Sequence, residues 1–222
     1  MRRAFGVARL IAALVCAISL VARLVWSLGV SGPIVANFFS YFTMQSAIAA
    51  TVLWTIGGIT ALRRSIDPDW LTSARVVVTT YQIVSGIVFA VITIQAHQQG
   101  FPFPVPWSSD VLHYVLPLYA IVDLLLAPGR SSPRWMTLRF ILIFPAVWVA
   151  YTLVRGNVVG WYPYFFLDPA QVGPVESALY CALAGVLFVG VSSILVGTAR
   201  ALPSAPTDAD ALGLRLPRKV RG

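Results

Sequence analysis

Six apolar runs alternate with short polar, glycine- or proline-bearing connections: 8–30, 37–61, 74–96, 110–127, 136–154 and 175–198. A helix needs roughly 20 mostly apolar residues to cross the hydrocarbon of a bilayer, and the runs have about that length. None shows the strict alternation of a half-buried strand. Backbone groups in lipid must be satisfied within their own segment, so each run predicts a helix. Pro117 and Pro145 fall inside the fourth and fifth runs and predict kinks there. The expected fold is all-α: an integral membrane bundle of six transmembrane helices over 1–200. A flexible basic cytoplasmic tail over 201–222 follows it.

The connections alternate in charge. Arg2, Arg3 and Arg9 precede or open the first run, Arg63, Arg64 and Arg75 flank the second connection, and Arg130, Arg134 and Arg139 the fourth. The 31–36 and 97–109 connections carry no basic residue, and 155–174 has Arg155 alone. By the positive-inside rule both termini are cytoplasmic, which an even number of spans also requires. The basic, apolar start has the look of a secretory signal. No A-x-A site follows it, so it is read as a retained first helix.

Composition strengthens the membrane reading. The 222 residues are 58% hydrophobic and 11% charged, with a mean hydropathy of +0.81. A soluble domain carries about 45–50% apolar and about 25% charged residues. The net charge of +8 is read as membrane orientation and not as a nucleic-acid surface, because the arginines lie between apolar runs. Arginine far outnumbers lysine among abundant Ala, Val and Gly, a composition of GC-rich bacterial genomes, so the expected location is a bacterial cell membrane. Cys16 and Cys181 both lie in apolar runs and are read as packing residues. No repeat, glycine-rich phosphate loop or metal-ligand spacing is present, so no cofactor and no metal are expected.

Polar residues inside lipid are costly and stand as functional candidates. "NFFSYFTMQS", 37–46, opens the second run with Asn37, Ser40, Tyr41, Thr43 and Gln45. Helical spacing predicts Ser40, Thr43 and Ala47 on one face. Thr43 lies roughly 9 Å below the outer end at 1.5 Å per residue. His113 enters the fourth run from the same side, level with it. A hydroxyl and an imidazole at one depth make a candidate nucleophile and base. The ordinary alternative is a threonine that bonds back to its own helix or joins neighbouring helices. Asp110, three residues before His113, either caps its helix, the better-supported reading, or orients the imidazole. In the last outer connection Arg155, Trp161, Tyr162 and Asp168 form either an interfacial aromatic belt or a lid. In the lid reading, Arg155 or backbone N–H groups face an oxyanion or a lipid carboxylate. Deeper still, Asp123 and Arg23 are expected to pair with each other or with backbone, or to snorkel.

"NFFSYFTMQS", "LHYVLPLYAIVDLLLAP" and "YTLVRGNVVGWYPYFFLDP" together resemble bacterial six-helix membrane proteins. These are related to the androgen-induced and androgen-dependent TFPI-regulating proteins. The resemblance covers essentially 8–198. It implies hydrolysis of fatty acid esters of hydroxy fatty acids, with Thr43 as nucleophile and His113 as its partner. The expected function is thus an intramembrane lipid-ester hydrolase acting on a membrane lipid or fatty acyl ester. A non-catalytic lipid-binding, transport or structural membrane protein of the same fold is the alternative.

Overall fold

The computed structural model describes residues 1–30, 34–101 and 105–202. The expected basic tail therefore lies almost wholly outside the described residues. Those residues are mainly helical, with no strand among them. Six helices are long and apolar enough to cross a membrane: α1 Arg2–Val30, α3 Phe42–Arg63, α4 Asp69–Gln98, α5 Trp107–Leu126, α6 Trp135–Val159 and α7 Pro169–Ala201. A six-residue helix, α2 Val35–Ser40, precedes α3. Large apolar side chains face outward along whole helices. Leu179, Leu183, Val186 and Ile194 of α7 are each more than 60% exposed. A water-soluble protein does not leave such a continuous apolar surface uncovered.

Two departures from regular helix matter for the site. Tyr41 has an extended backbone (φ −69°, ψ 133°) and separates α2 from α3. Ser40 and Thr43 therefore do not share one helical face, because the 3.6-residue phase is broken between them. Ser40 instead bonds back to the Ala36 carbonyl (2.8 Å). In α5, residues Val111–Val115 form a π-turn just before Pro117. Pro117 has no N–H to offer the carbonyl four residues earlier, that of His113. This carbonyl comes against Gly86 of α4, where an added Cβ would collide with it. Pro145 acts alike in α6. It leaves the Ile141 carbonyl without its helical donor, and Tyr81 Oη of α4 donates to it (3.1 Å).

Helices α1 and α3 make the closest pairing. Gly6 faces Gly58 and Ala61, while Ala12, Ala13, Cys16, Ala47 and Ala50 fill the seam. Small residues let backbones approach, the usual means of joining helices in lipid.

The α1 start, the 64–67 connection, the 128–134 connection and the α7 end meet at one end of the bundle. Arg130 Nη1 donates to the Ala199 carbonyl (2.6 Å) and Arg2 Nη1 to that of Pro128 (2.7 Å). Inside this end three arginines surround two aspartates. Arg2 Nη2 meets Asp67 Oδ1 at 2.7 Å. Arg9 bridges Asp123 Oδ1 (2.8 Å) and Asp67 Oδ2 (3.4 Å). Arg75 bridges Asp123 Oδ2 (2.9 Å) and Asp67 Oδ2 (3.2 Å). Asp123 therefore pairs with Arg9 and Arg75, not with Arg23. Arg9 and Arg75 are core residues of helices and not merely connection charges.

Candidate functional site

Away from the arginine end lies a cavity of about 870 Å3, lined by α1, α3, α4, α5, α6, α7 and the 163–167 connection. That volume is within the usual range of ligand sites, about 300–1,000 Å3. Most of its wall is aliphatic or aromatic, with Val84, Val88, Ile92, Trp148, Leu153 and Phe188 among the lining residues. A polar strip runs along one side: Tyr41, Thr43, Ser85, Ser109 and His113, with Arg23.

Within that strip Thr43, the second residue of α3, bonds to two partners. Its Oγ1 lies 3.2 Å from His113 Nε2 and 2.5 Å from Ser85 Oγ. His113 Nδ1 lies 2.7 Å from the Ser109 carbonyl. A carbonyl only accepts, so Nδ1 carries the proton and Nε2 of the neutral ring is an acceptor. Thr43 then donates to Nε2, and one of its lone pairs accepts from the Ser85 hydroxyl. One proton arrangement satisfies all four groups. Phe89 stacks on the imidazole, with centroids 3.8 Å apart and planes 12° apart, and fixes the ring plane. Both Phe89 and Ser85 belong to α4, whose neighbouring Gly86 admits the displaced His113 carbonyl. Thr43 is 4% exposed and His113 7%, so water reaches neither freely.

Tyr164 closes the strip from the last connection. Burial pushes its phenol up to about 12, against the opposing effect of hydrogen bonding to Thr43. It is a neutral O–H donor at any physiological pH. Tyr41 packs edge-on against both Tyr164 (5.6 Å) and Trp161 (5.8 Å), tying the connection to the start of α3.

The other residues expected from sequence lie around the cavity and not on its wall. Asn37 Oδ1 accepts from Arg155 Nη2 (2.6 Å), and the Arg155 guanidinium lies 5.4 Å from the Trp161 ring centroid. Arg155 is thus a clamp on α2 and does not line the cavity. The Ser40 carbonyl accepts from Trp148 Nε1 (3.0 Å). Gln45 donates to the Phe39 carbonyl (2.9 Å), fastening the α2–α3 break. Tyr162 packs on Gly156, where a Cβ would strike its ring. Asp168 caps α7, accepting from the Ala170 N–H (3.0 Å). Asp110 neither caps nor orients. The N-cap of its helix is Pro106, Asp110 is exposed, and His113 Nδ1 is held by the Ser109 carbonyl.

Ser85, Ser109, Tyr164 and Arg23 complete the polar strip beyond the residues singled out for the site from sequence. Ser85 had a signal, a Ser-Gly pair in the middle of an apolar run. Cys181 is half-buried and lines the cavity, whereas Cys16 is fully buried at the α1–α3 seam. Among the described residues no cluster of His, Cys, Asp and Glu could hold a metal ion. No protein-family model, no curated protein and no solved structure matches the chain.

Proposed function

We propose that the protein is a multi-pass hydrolase of lipid esters in a bacterial plasma membrane. Both termini are cytoplasmic, since the arginine-rich end is the cytoplasmic one by the positive-inside rule. Thr43 and His113 then lie near the outer face, where a lipid ester carbonyl can sit while its acyl chain occupies the apolar cavity. The observation that carries this reading is the Thr43–His113 contact of 3.2 Å with Nδ1 engaged by the Ser109 carbonyl. Such a contact leaves Nε2 ready to take the threonine proton.

In the first step Thr43 Oγ1 attacks the ester carbonyl carbon and its proton passes to His113 Nε2. The carbonyl electron pair moves to oxygen, where the Tyr164 phenol and the Ser85 hydroxyl are candidate donors. The ester C–O bond breaks, and His113 returns the proton to the departing alkoxide. A water deprotonated by His113 then attacks the acyl-threonine. The acid leaves and Thr43 recovers its proton. No cofactor takes part. The resemblance of the three sequence motifs to bacterial six-helix membrane proteins related to ester hydrolases supports the same residues.

The non-catalytic reading, a lipid-binding or structural bundle, has one observation in its favour. The 2.5 Å Thr43–Ser85 contact clasps α3 to α4 as a structural hydrogen bond would. The test is turnover of a panel of lipid esters by purified wild type, Thr43→Ala and His113→Ala. Each substitution is expected to lower the rate by about 10²–10⁴-fold. A fluorophosphonate probe should label wild type and not Thr43→Ala. Equal turnover in all three proteins would overturn the hydrolase and leave the structural clasp.

A further inference from the structure

Buried arginines elsewhere in this bundle show what a guanidinium requires here. Arg9 and Arg75 each engage two aspartates. Arg2 engages Asp67 and the carbonyls of Pro128 and Arg64. Arg130 engages three carbonyls. Arg23 has no such set. It lies in the outer third of α1, and among the described residues no acidic side chain forms an ion pair with it. Its Nη1 is buried without a hydrogen-bond partner. It lies over Trp26, one turn along α1, with the guanidinium 4.5 Å from the ring centroid.

That contact covers a face of the guanidinium and leaves its N–H edge unused. Tyr41 cannot supply the missing charge. Burial raises the pKa of its phenol, and the nearby Arg23 charge only partly opposes this. Arg23, Trp26 and Tyr41 all line the cavity whose remaining wall is mostly hydrocarbon. A cavity with an unneutralised cation at one point and apolar surface elsewhere matches an amphiphile with one negative head and one long chain. The N–H edge of a guanidinium is shaped for two oxygens of one anion.

We propose that Arg23 is the anion-binding residue of the cavity. It takes the carboxylate or phosphate oxygens of an amphiphile whose hydrocarbon chain lies along Val88, Phe188 and the neighbouring wall. The site does not depend on ester hydrolysis. Arg23 fixes which lipids are held, and Thr43 and His113 determine whether anything is done to them.

The experiment uses the full chain in phosphatidylcholine nanodiscs and reads quenching of tryptophan fluorescence by dibrominated stearate, with Trp26→Phe to assign the signal. Wild type should show saturable quenching by the acid and at least 10-fold weaker binding of its methyl ester. Loss of one charge-assisted pair predicts that Arg23→Gln weakens acid binding about 10-fold or more. The methyl ester should bind wild type and Arg23→Gln alike, and Arg23→Lys should recover part of the acid affinity. Competition with oleate and with lysophosphatidate tells which head group is preferred. Equal binding of acid and methyl ester by wild type would overturn the proposal, even if Arg23→Gln failed to fold. So would unchanged acid binding by folded Arg23→Gln. Quenching reads acid binding without any turnover, so loss of the hydrolase reading alone would leave this result standing.

Discussion

The two ends of the bundle treat buried polarity in opposite ways. At the arginine end, three guanidinium groups and two carboxylates fill the space between α1, α4, α5 and the 64–67 connection. At the cavity end, neutral hydroxyls and one imidazole border the cavity, and Arg23, a cation on its wall, has a buried nitrogen with no partner among the described residues. The first arrangement pairs both oxygens of each carboxylate, although Arg75 Nε is left without a partner among the described residues. The second leaves hydrogen-bonding capacity directed into a space that an apolar chain could occupy. Ion pairs set deep among helices cost desolvation and return it only when every partner is present. A region built that way gains from being static. A region of uncharged donors and acceptors keeps its protons movable, which proton transfer requires.

The largest effect should come from opening the arginine end. Asp67 accepts from Arg2, Arg9 and Arg75 at once, and its side chain is fully buried. Asp67→Asn leaves three arginines short of a counter-charge. It should destabilise the protein by about 3–5 kcal/mol. Thermal unfolding in detergent, followed by helical circular dichroism, should show a much lower midpoint or a loss of folded protein on purification. If Asp67→Asn unfolds near the wild-type temperature, the ion network is not the anchor of that end and the contrast between the two ends collapses.

A smaller effect is expected where the cavity end depends on close backbone approach. Gly86→Ala drives a Cβ into the His113 carbonyl, which Pro117 has already deprived of its helical donor. Overpacking of this kind costs about 1–3 kcal/mol. The displacement falls on α5 at the imidazole, so lipid-ester turnover should decline more than stability does. Loss of stability with unchanged turnover per folded molecule would show that His113 does not need its present position.

Much of this architecture could be read from sequence, for a simple reason. Span number follows from length and apolarity, and six runs became six helices with ends shifted by up to six residues. His113 is conspicuous as one of two histidines and the one inside an apolar run, and Thr43 only because it lies level with that imidazole near the start of its helix. Helical phase was less reliable. A period of 3.6 is only a guide while the helix continues, and Tyr41 and the 111–115 π-turn both interrupt it beside the site. Asp110, expected first as a helix cap and second as a partner of His113, is neither, because the helix starts earlier at Trp107 and the Ser109 carbonyl holds the imidazole. Partners from distant segments left little trace. Arg9 with Asp123, and Thr43 with Ser85, are separated by 114 and 42 residues, and nothing local in either segment names the other.

Ser85 separates chemistry from architecture most finely, because it belongs to both accounts. Its hydroxyl donates to Thr43 Oγ1 at 2.5 Å and joins α4 to α3. Removing one hydrogen bond of this kind costs about 1 kcal/mol, so Ser85→Ala should lower the unfolding midpoint only slightly. That loss is common to a structural clasp and to a catalytic site. Turnover is not. If Thr43 Oγ1 is the nucleophile, the Ser85 O–H is also one of the donors to the negative charge that builds on the ester carbonyl oxygen. Folded Ser85→Ala should then hydrolyse its best ester several-fold more slowly, while acid binding at Arg23 stays at the wild-type level. A slower rate with intact binding sets Ser85 within the reacting group of residues. An unchanged rate with the same small loss of stability makes it a helix-to-helix contact and moves the charge-stabilising role to Tyr164, the remaining neutral donor beside Thr43.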